Sequence, residues 1–204
     1  MEQMDQNPQR SIEGVAVSDW EDDNTGIIPD YQEGHPGYEL LSKAEDGNCG
    51  AIKAIIKAHP EIINFKDGDG YTALHKACQC NFLEVAKFLI YNRADISAKS
   101  EEGWTPLHSA AHWDAVDCVN FLLQCGADVN SKSVGGSTPL HVASRSQKRD
   151  TAIVMLSHPS CDLSITNDAG DTAGDILRRN TKHDYLTHLA EKPFNVLKVE
   201  DTVP

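Results

Sequence analysis

A four-residue phrase returns along this chain at a fixed interval. Thr72-Ala73-Leu74-His75, Thr105-Pro106-Leu107-His108 and Thr138-Pro139-Leu140-His141 lie 33 residues apart, and Thr172-Ala173 follows 34 residues later. Self-similarity at such a period means that one supersecondary unit is stacked several times, so each unit buries its apolar face only against its neighbours. Every copy has a short turn ahead of it: Gly70-Tyr71, Gly103-Trp104, Gly136-Ser137 and Gly170-Asp171. Near the end of the units come Ala94-Asp95-Ile96-Ser97, Ala127-Asp128-Val129-Asn130 and Cys161-Asp162-Leu163-Ser164. The register divides residues 37–191 into units at 37–67, 68–100, 101–133, 134–167 and 168–191. The first is degenerate and the last a truncated C-terminal cap.

Within a unit, Thr suits a helix N-cap, where its hydroxyl meets an orphan backbone N–H. Pro106 and Pro139 suit the first helical position, where a missing N–H costs nothing. Leu74, Ala77, Leu107, Ala110, Leu140 and Ala143 fall at i, i+3 and predict the core face of a first helix. Val85, Phe88, Leu89, then Val119, Leu122, Leu123, then Ile153, Val154, Leu156 predict the core of a second. Asn48, Asn81 and Asp114 are expected in the loop between the two, as types that tolerate positive φ. Gly126 is expected to close a second helix. The fourth unit holds one extra residue, within 146–150 or within 158–160.

The period and these phrases resemble the ankyrin repeat. The resemblance implies an all-α repeat solenoid of helix-loop-helix units with β-turn fingers, about four repeats plus the truncated cap. Within ankyrin proteins, Gly103 to Ala110 with Trp113, Asp150-Thr151 in the irregular fourth unit, and Asp175 to Arg179 with Tyr185-Leu186 are similar to the ankyrin repeat domain-containing protein 49 family. Members of that family are described as nuclear or nucleocytoplasmic regulators associated with gene expression and germ-cell development, without enzymatic activity. The resemblance therefore implies a protein-binding scaffold in the nucleus and/or cytoplasm. It also marks Asn130 as a candidate for asparaginyl β-hydroxylation; the alternative is a loop Asn bonded to nearby backbone.

Charge and motifs exclude other classes. The chain has 204 residues and a net charge of −13, which repels phosphate backbones, so no direct nucleic-acid contact is expected. No run is long and apolar enough for a membrane span. Phosphate-binding, zinc-protease and serine-hydrolase signatures are absent, so no enzyme and no cofactor are expected. Asp67-Gly68-Asp69-Gly70 opens like a calcium loop but has Thr72 where that loop needs Gly, and reads as a turn tip. His108 and His112 stand i, i+4 and Cys78-Gln79-Cys80 forms a C-x-C, yet neither supplies a metal-site spacing. The ankyrin pattern implies that His75, His108 and His141 bond to their own Thr and to the next turn. The six cysteines fit no secreted framework and are expected to be reduced, the Cys78/Cys80 pair as one core and one surface residue.

Residues 1–36 are a different kind of chain, acidic and expected to be largely disordered. Ser18, followed by acids around Trp20, is a candidate phosphorylation site. A second reading follows: a chaperone- or inhibitor-like subunit whose acidic N-terminus masks a basic partner surface. The tail at 192–204 contains a short apolar run.

Binding by ankyrin arrays uses the concave side, made of turn tips and first helices. The register puts Tyr71, Lys76, Gln79, Phe82, Trp104, His112, Trp113 and Arg145 there as partner-binding candidates, with Asp69, Glu102, Ser109, Ser137, Val142 and Gln147 beside them. Aromatic and Arg side chains dominate binding hot spots. The competing reading has Trp104 packing across its own turn and Trp113 covering a helix end. A monomer that docks a protein partner is the expected species.

Overall fold

The computed structural model describes residues 34–180. Helices α1 (Pro36–Glu45) and α2 (Cys49–Ala58) are followed by a 3-10 turn at Pro60–Asn64. Then come α3 (Ala73–Gln79), α4 (Leu83–Tyr91), α5 (Pro106–Trp113), α6 (Val116–Gln124), α7 (Pro139–Arg145), α8 (Arg149–Leu156) and α9 (Ala173–Asn180). None exceeds ten residues, a length that is marginal for an isolated helix in water. Their stability comes from two layers. The first helices α1, α3, α5, α7 and α9 pack in succession, and the second helices α2, α4, α6 and α8 do the same. Among the described residues there is no strand, only one isolated antiparallel bridge between Thr166 and Thr172.

The repeated leucines fill the space between layers. Leu74, Leu89, Leu107, Leu122 and Leu140 are all buried, as are Ala77, Ala110 and Ala143. Each such leucine contributes roughly 1.5–3 kcal/mol by leaving water. In α8 the expected core shifts. Met155, Ala152 and Thr151 are buried with Leu156, while Ile153 and Val154 are only half-buried. The helix is in register with α6, so Thr151, Ala152 and Met155 take the places of the buried Cys118, Val119 and Leu122, and the extra residue falls after α8, within 158–160.

Capping residues tie the units together. Thr72, Thr105 and Thr138 are the N-caps of α3, α5 and α7, and the histidine three residues on completes a capping box in each. The left-handed residues of the inter-helix loops are Asn81, Asp114 and Gln147, at φ 56°, 62° and 56°. Asn48 does not take this role. Gly47 does, at φ 69°, and Asn48 instead caps its own α2 through Ala51 N–H at 3.0 Å. Asn81 and Asp114 reach forward: Asn81 Oδ1 accepts from Cys118 N–H of α6 (3.2 Å), and Asp114 Oδ1 accepts from Thr151 N–H of α8 (3.2 Å). Neither α6 nor α8 has a side-chain cap of its own. The loop residue of one unit thus caps the second helix of the next.

The first unit departs from the pattern as an end unit does. Leu41 occupies the position that His75 takes one unit later, and α1 starts one turn early at Pro36 with His35 Nδ1 capping Gly37 N–H at 3.0 Å. His35 and Tyr38 pack on Phe65, at ring separations of 4.8 and 5.0 Å. The cysteines are all reduced; Cys78 and Cys118 are buried, Cys80 and Cys125 exposed. Residues 1–33, with Ser18, and residues 181–204 lie outside the described residues. No described helix is long and apolar enough to cross a membrane.

Candidate protein-binding site

Hairpin tips at 67–71, 100–104, 133–137 and 167–171 precede the last four first helices, each closed by a left-handed glycine. Successive tips are joined by backbone bonds, Glu101 N–H to Asp69 O and Val134 N–H to Glu102 O, both 2.9 Å. The histidines hold each tip to the helix before it. Nδ1 of His75 accepts from Thr72 N–H at 3.1 Å, so Nε2 carries the proton and donates to the Trp104 carbonyl at 2.9 Å. His108 and His141 repeat this toward Ser137 and Asp171 carbonyls, at 3.0 and 3.1 Å. Burial pushes His75 and His108 down to about 4, so both are neutral at physiological pH. They are structural pins.

The candidate side chains fall into two clusters and three single residues. Trp104, half-buried, lies along α5 with its ring 6.3 Å from His108 and 5.3 Å from His112. Trp113 stands edge-on to His112 at 5.2 Å and is 54% exposed. His112 Nδ1 is 3.0 Å from Ser146 Oγ, and burial together with Lys148 lowers its pKa. These three rings form one continuous aromatic surface on the third unit.

Tyr71 and Lys76 form a second group. Lys76 Nζ stands over the Tyr71 ring at 5.5 Å and pairs with Glu45 at 2.9 Å and Asp67 at 3.5 Å. Burial opposes its charge, but Glu45 and Asp67 outweigh burial and raise its pKa. Burial raises that of Tyr71, helped by Glu102 and Asp69. Lys76 is thus engaged within the fold before any partner arrives. Arg145, exposed, donates to Ser137 Oγ at 3.3 Å.

Phe82 stands apart, at the inter-helix loop: its ring lies where a Cβ on Gly47 would come within 2.8 Å. Gln79 is half-buried. Ser109, Ser137 and Val142, expected on this surface, are buried instead at 2%, 6% and 4% exposure. The first helices lie too close side by side to leave those short side chains in water.

Ser146 and Glu101 are absent from the sequence reading of this face, which already holds Asp69 and Glu102 and singles out Asn130. Ser146, the partner of His112, sits one unit after Trp113 at the same register position, which is the signal that would have found it. Asp69, Glu101 and Glu102 are exposed carboxylates on the tips, beside Tyr71 and Trp104. Asn130 is held at both ends of its amide: Oδ1 accepts from Asp162 N–H at 2.9 Å, and Nδ2 donates to Ser160 O at 2.7 Å.

The family model described as ankyrin repeats in three copies matches residues 40–133. Residues 40–133 of this chain are ankyrin repeats. Over 84 residues it is 39% identical to ankyrin repeat domain-containing protein 49 of Drosophila melanogaster, a stretch covering 40% of this chain and 39% of that relative. Beyond residue 133 the ankyrin geometry continues through α7, α8 and α9, with the same Thr–His pin at Thr138 and His141. Ankyrin repeats are protein–protein interaction modules.

Proposed function

We propose that this ankyrin protein is a non-catalytic scaffold that docks a partner protein on its tips and first helices, the concave side, with Trp104 and Trp113 as anchors. The observation that carries this reading is the exposure of Trp113. At the same register position the neighbouring units place Cys80 and Ser146, so the fold does not require an indole there. A half-exposed indole braced edge-on by His112 is a rigid apolar anchor, and truncating such an anchor typically costs about 2 kcal/mol or more of binding. Arg145 and the Tyr71–Lys76 group flank it, and Asp69, Glu101 and Glu102 give the tips a preference for a cationic partner. The work is recognition by a preformed surface and needs no cofactor.

For the setting we adopt what the family resemblance implies: a regulator of gene expression or development in the nucleus and/or cytoplasm, acting as a monomer through protein contacts, without touching nucleic acid or membrane itself. Asn130 and Ser18 remain the proposed modification sites. The test is affinity capture from nuclear and cytosolic extracts, with the full chain as bait beside Trp104→Ala/Trp113→Ala, both first shown to be folded by circular dichroism. The expected result is a protein retained by the wild type and reduced at least ~10-fold on the variant. Equal recovery by both baits would remove the anchors from the proposal.

A further inference from the structure

The second-helix layer carries exposed lysines and aromatic rings of its own, with Glu84 of α4 paired to Lys87 and Asp117 at the start of α6. Lys53 of α2 holds its ammonium 5.7 Å above the ring of Phe88 on α4. Lys57 lies one turn further along α2, on the same side. Both lysines are exposed, α2 contains no acidic residue, and neither has a carboxylate partner among the described residues. Tyr91, three residues after Phe88, is 77% exposed and stands edge-on to Phe121 of α6 at 6.5 Å. Ring contacts and helical spacing thus join Lys57, Lys53, Phe88, Tyr91 and Phe121 into one strip across α2, α4 and α6.

The fold does not demand this strip. The register position of Tyr91 is filled by Lys57 one unit earlier and Gln124 one unit later, so nothing in the repeat needs an aromatic ring in water there. Lys57 in the last turn of α2 is accounted for in part by the helix dipole. Lys53, two turns from that end, is not. A cation fixed over an aromatic face spends only part of its hydrogen-bonding capacity, and its remaining N–H groups point to solvent. The Lys53 ammonium, with that of Lys57 one turn on and the protruding phenol ring of Tyr91, matches carboxylates flanking an aromatic side chain.

We propose that the second-helix layer of the first three units is a second docking surface, which takes an acidic peptide segment of a partner protein bearing one aromatic residue. Its carboxylates pair with Lys53 and Lys57, and its ring stacks on Tyr91. The tips expose Asp69, Glu101 and Glu102, so the two layers select partners of opposite charge. The array then bridges two proteins.

The test is fluorescence anisotropy on the full chain with two labelled peptides, one with Trp among glutamates and one with Trp among glutamines. The glutamate peptide is expected to bind, and to bind at least tenfold more weakly to Lys53→Glu/Lys57→Glu and severalfold more weakly to Tyr91→Ala. Trp104→Ala/Trp113→Ala is expected to leave its affinity unchanged, which separates this surface from the first-helix face. All of these side chains are exposed or half-buried, and circular dichroism checks each fold. No binding of the glutamate peptide, equal binding of the glutamine peptide, undiminished binding to the Lys53→Glu/Lys57→Glu variant, or loss on the Trp variant would each overturn the proposal.

Discussion

The Nε2–H of His75 donates to the carbonyl oxygen of Trp104 across 29 residues of sequence, at 2.9 Å. One imidazole therefore caps α3 with its Nδ1 and holds the tip that presents Trp104 with its Nε2. The orientation of the proposed anchor is set by a side chain in the preceding unit, and His108 does the same for the tip that follows.

This arrangement predicts a pH dependence of stability. His75 and His108 titrate at about 4 in the folded chain, against about 6.5 when unfolded. The unfolded chain binds more protons between those values, so stability is full above about pH 6.5 and falls as pH drops toward 4. A shift of this size corresponds to roughly 3 kcal/mol for each histidine. Urea midpoints measured from pH 7.5 to 4.5 are expected to fall steadily through this window, and His75→Gln/His108→Gln to fall less steeply. Parallel profiles would show that the two rings carry no linkage.

The tip glycines predict a difference between internal and terminal units. Gly103 has φ 73°, and a Cβ there would lie 2.8 Å from Val134 N of the next tip. Gly170 has φ 81° with no atom within 4 Å of its Cβ position. Gly170→Ala is expected to cost about 1 kcal/mol, the price of a left-handed alanine. Gly103→Ala adds a backbone overlap and is expected to cost about 3 kcal/mol or more. Thermal unfolding of both variants provides the comparison, and equal losses would refute the stacking role of the tip.

What could be read in advance follows from how the repeat encodes itself. The leucine ladder and the proline starts are written by residue type at fixed spacing, and the Thr–His pins follow from the resemblance to the ankyrin pattern, so they were legible from one chain. The left-handed loop was legible at Asn81 and Asp114 but misplaced at Asn48, because Gly47 beside it meets the same backbone need at lower cost. The site was legible as a row of positions but not as contacts. Whether Lys76 is free depends on Glu45, contributed by α1 of the preceding unit. Burial of Ser109 and Val142 depends on how closely neighbouring first helices approach, which no spacing within a unit states. The strip on the second-helix layer was missed because Phe88 and Phe121 fit a core pattern, and Tyr91 joins them only in three dimensions.

Asp114 combines two duties that substitutions can separate. It sits at φ 62°, and its Oδ1 accepts from both Thr151 N–H and Thr151 Oγ1–H, at 3.2 and 3.0 Å. Asp114→Asn keeps an oxygen acceptor and the tolerance of positive φ, so it is expected to cost less than about 0.5 kcal/mol. Asp114→Gly keeps only the backbone freedom and is expected to lose about 1 kcal/mol. Asp114→Ala loses both, about 2 kcal/mol. Chemical denaturation that ranks glycine below alanine would contradict the cross-unit cap.

Asn130 is where packing and a proposed modification meet. Its amide spans to the loop of the fourth unit at Ser160 and Asp162, the loop that carries the extra residue. Asn130→Ala removes both bonds and is expected to cost about 1–2 kcal/mol. In a quasi-one-dimensional array that loss is local: the interface between the third and fourth units weakens while the first two keep their neighbours. Native-state hydrogen exchange is the discriminating measurement. Amides of α7 and α8 are expected to exchange about 5- to 30-fold faster in Asn130→Ala, with those of α3 unchanged. The same reasoning bears on Asn130 as a proposed modification site. Both ends of its amide are occupied in the folded array, so an enzyme acting on it would meet a freed side chain more often in any variant that loosens this interface. Asp162→Pro removes the N–H that bonds Asn130 Oδ1 and leaves Asn130 itself in place. Mass spectrometry of the protein expressed in cells is expected to find more hydroxylated Asn130 in Asp162→Pro than in the wild type. Equal or lower hydroxylation in that variant would argue that access to this residue is not gated by the interface.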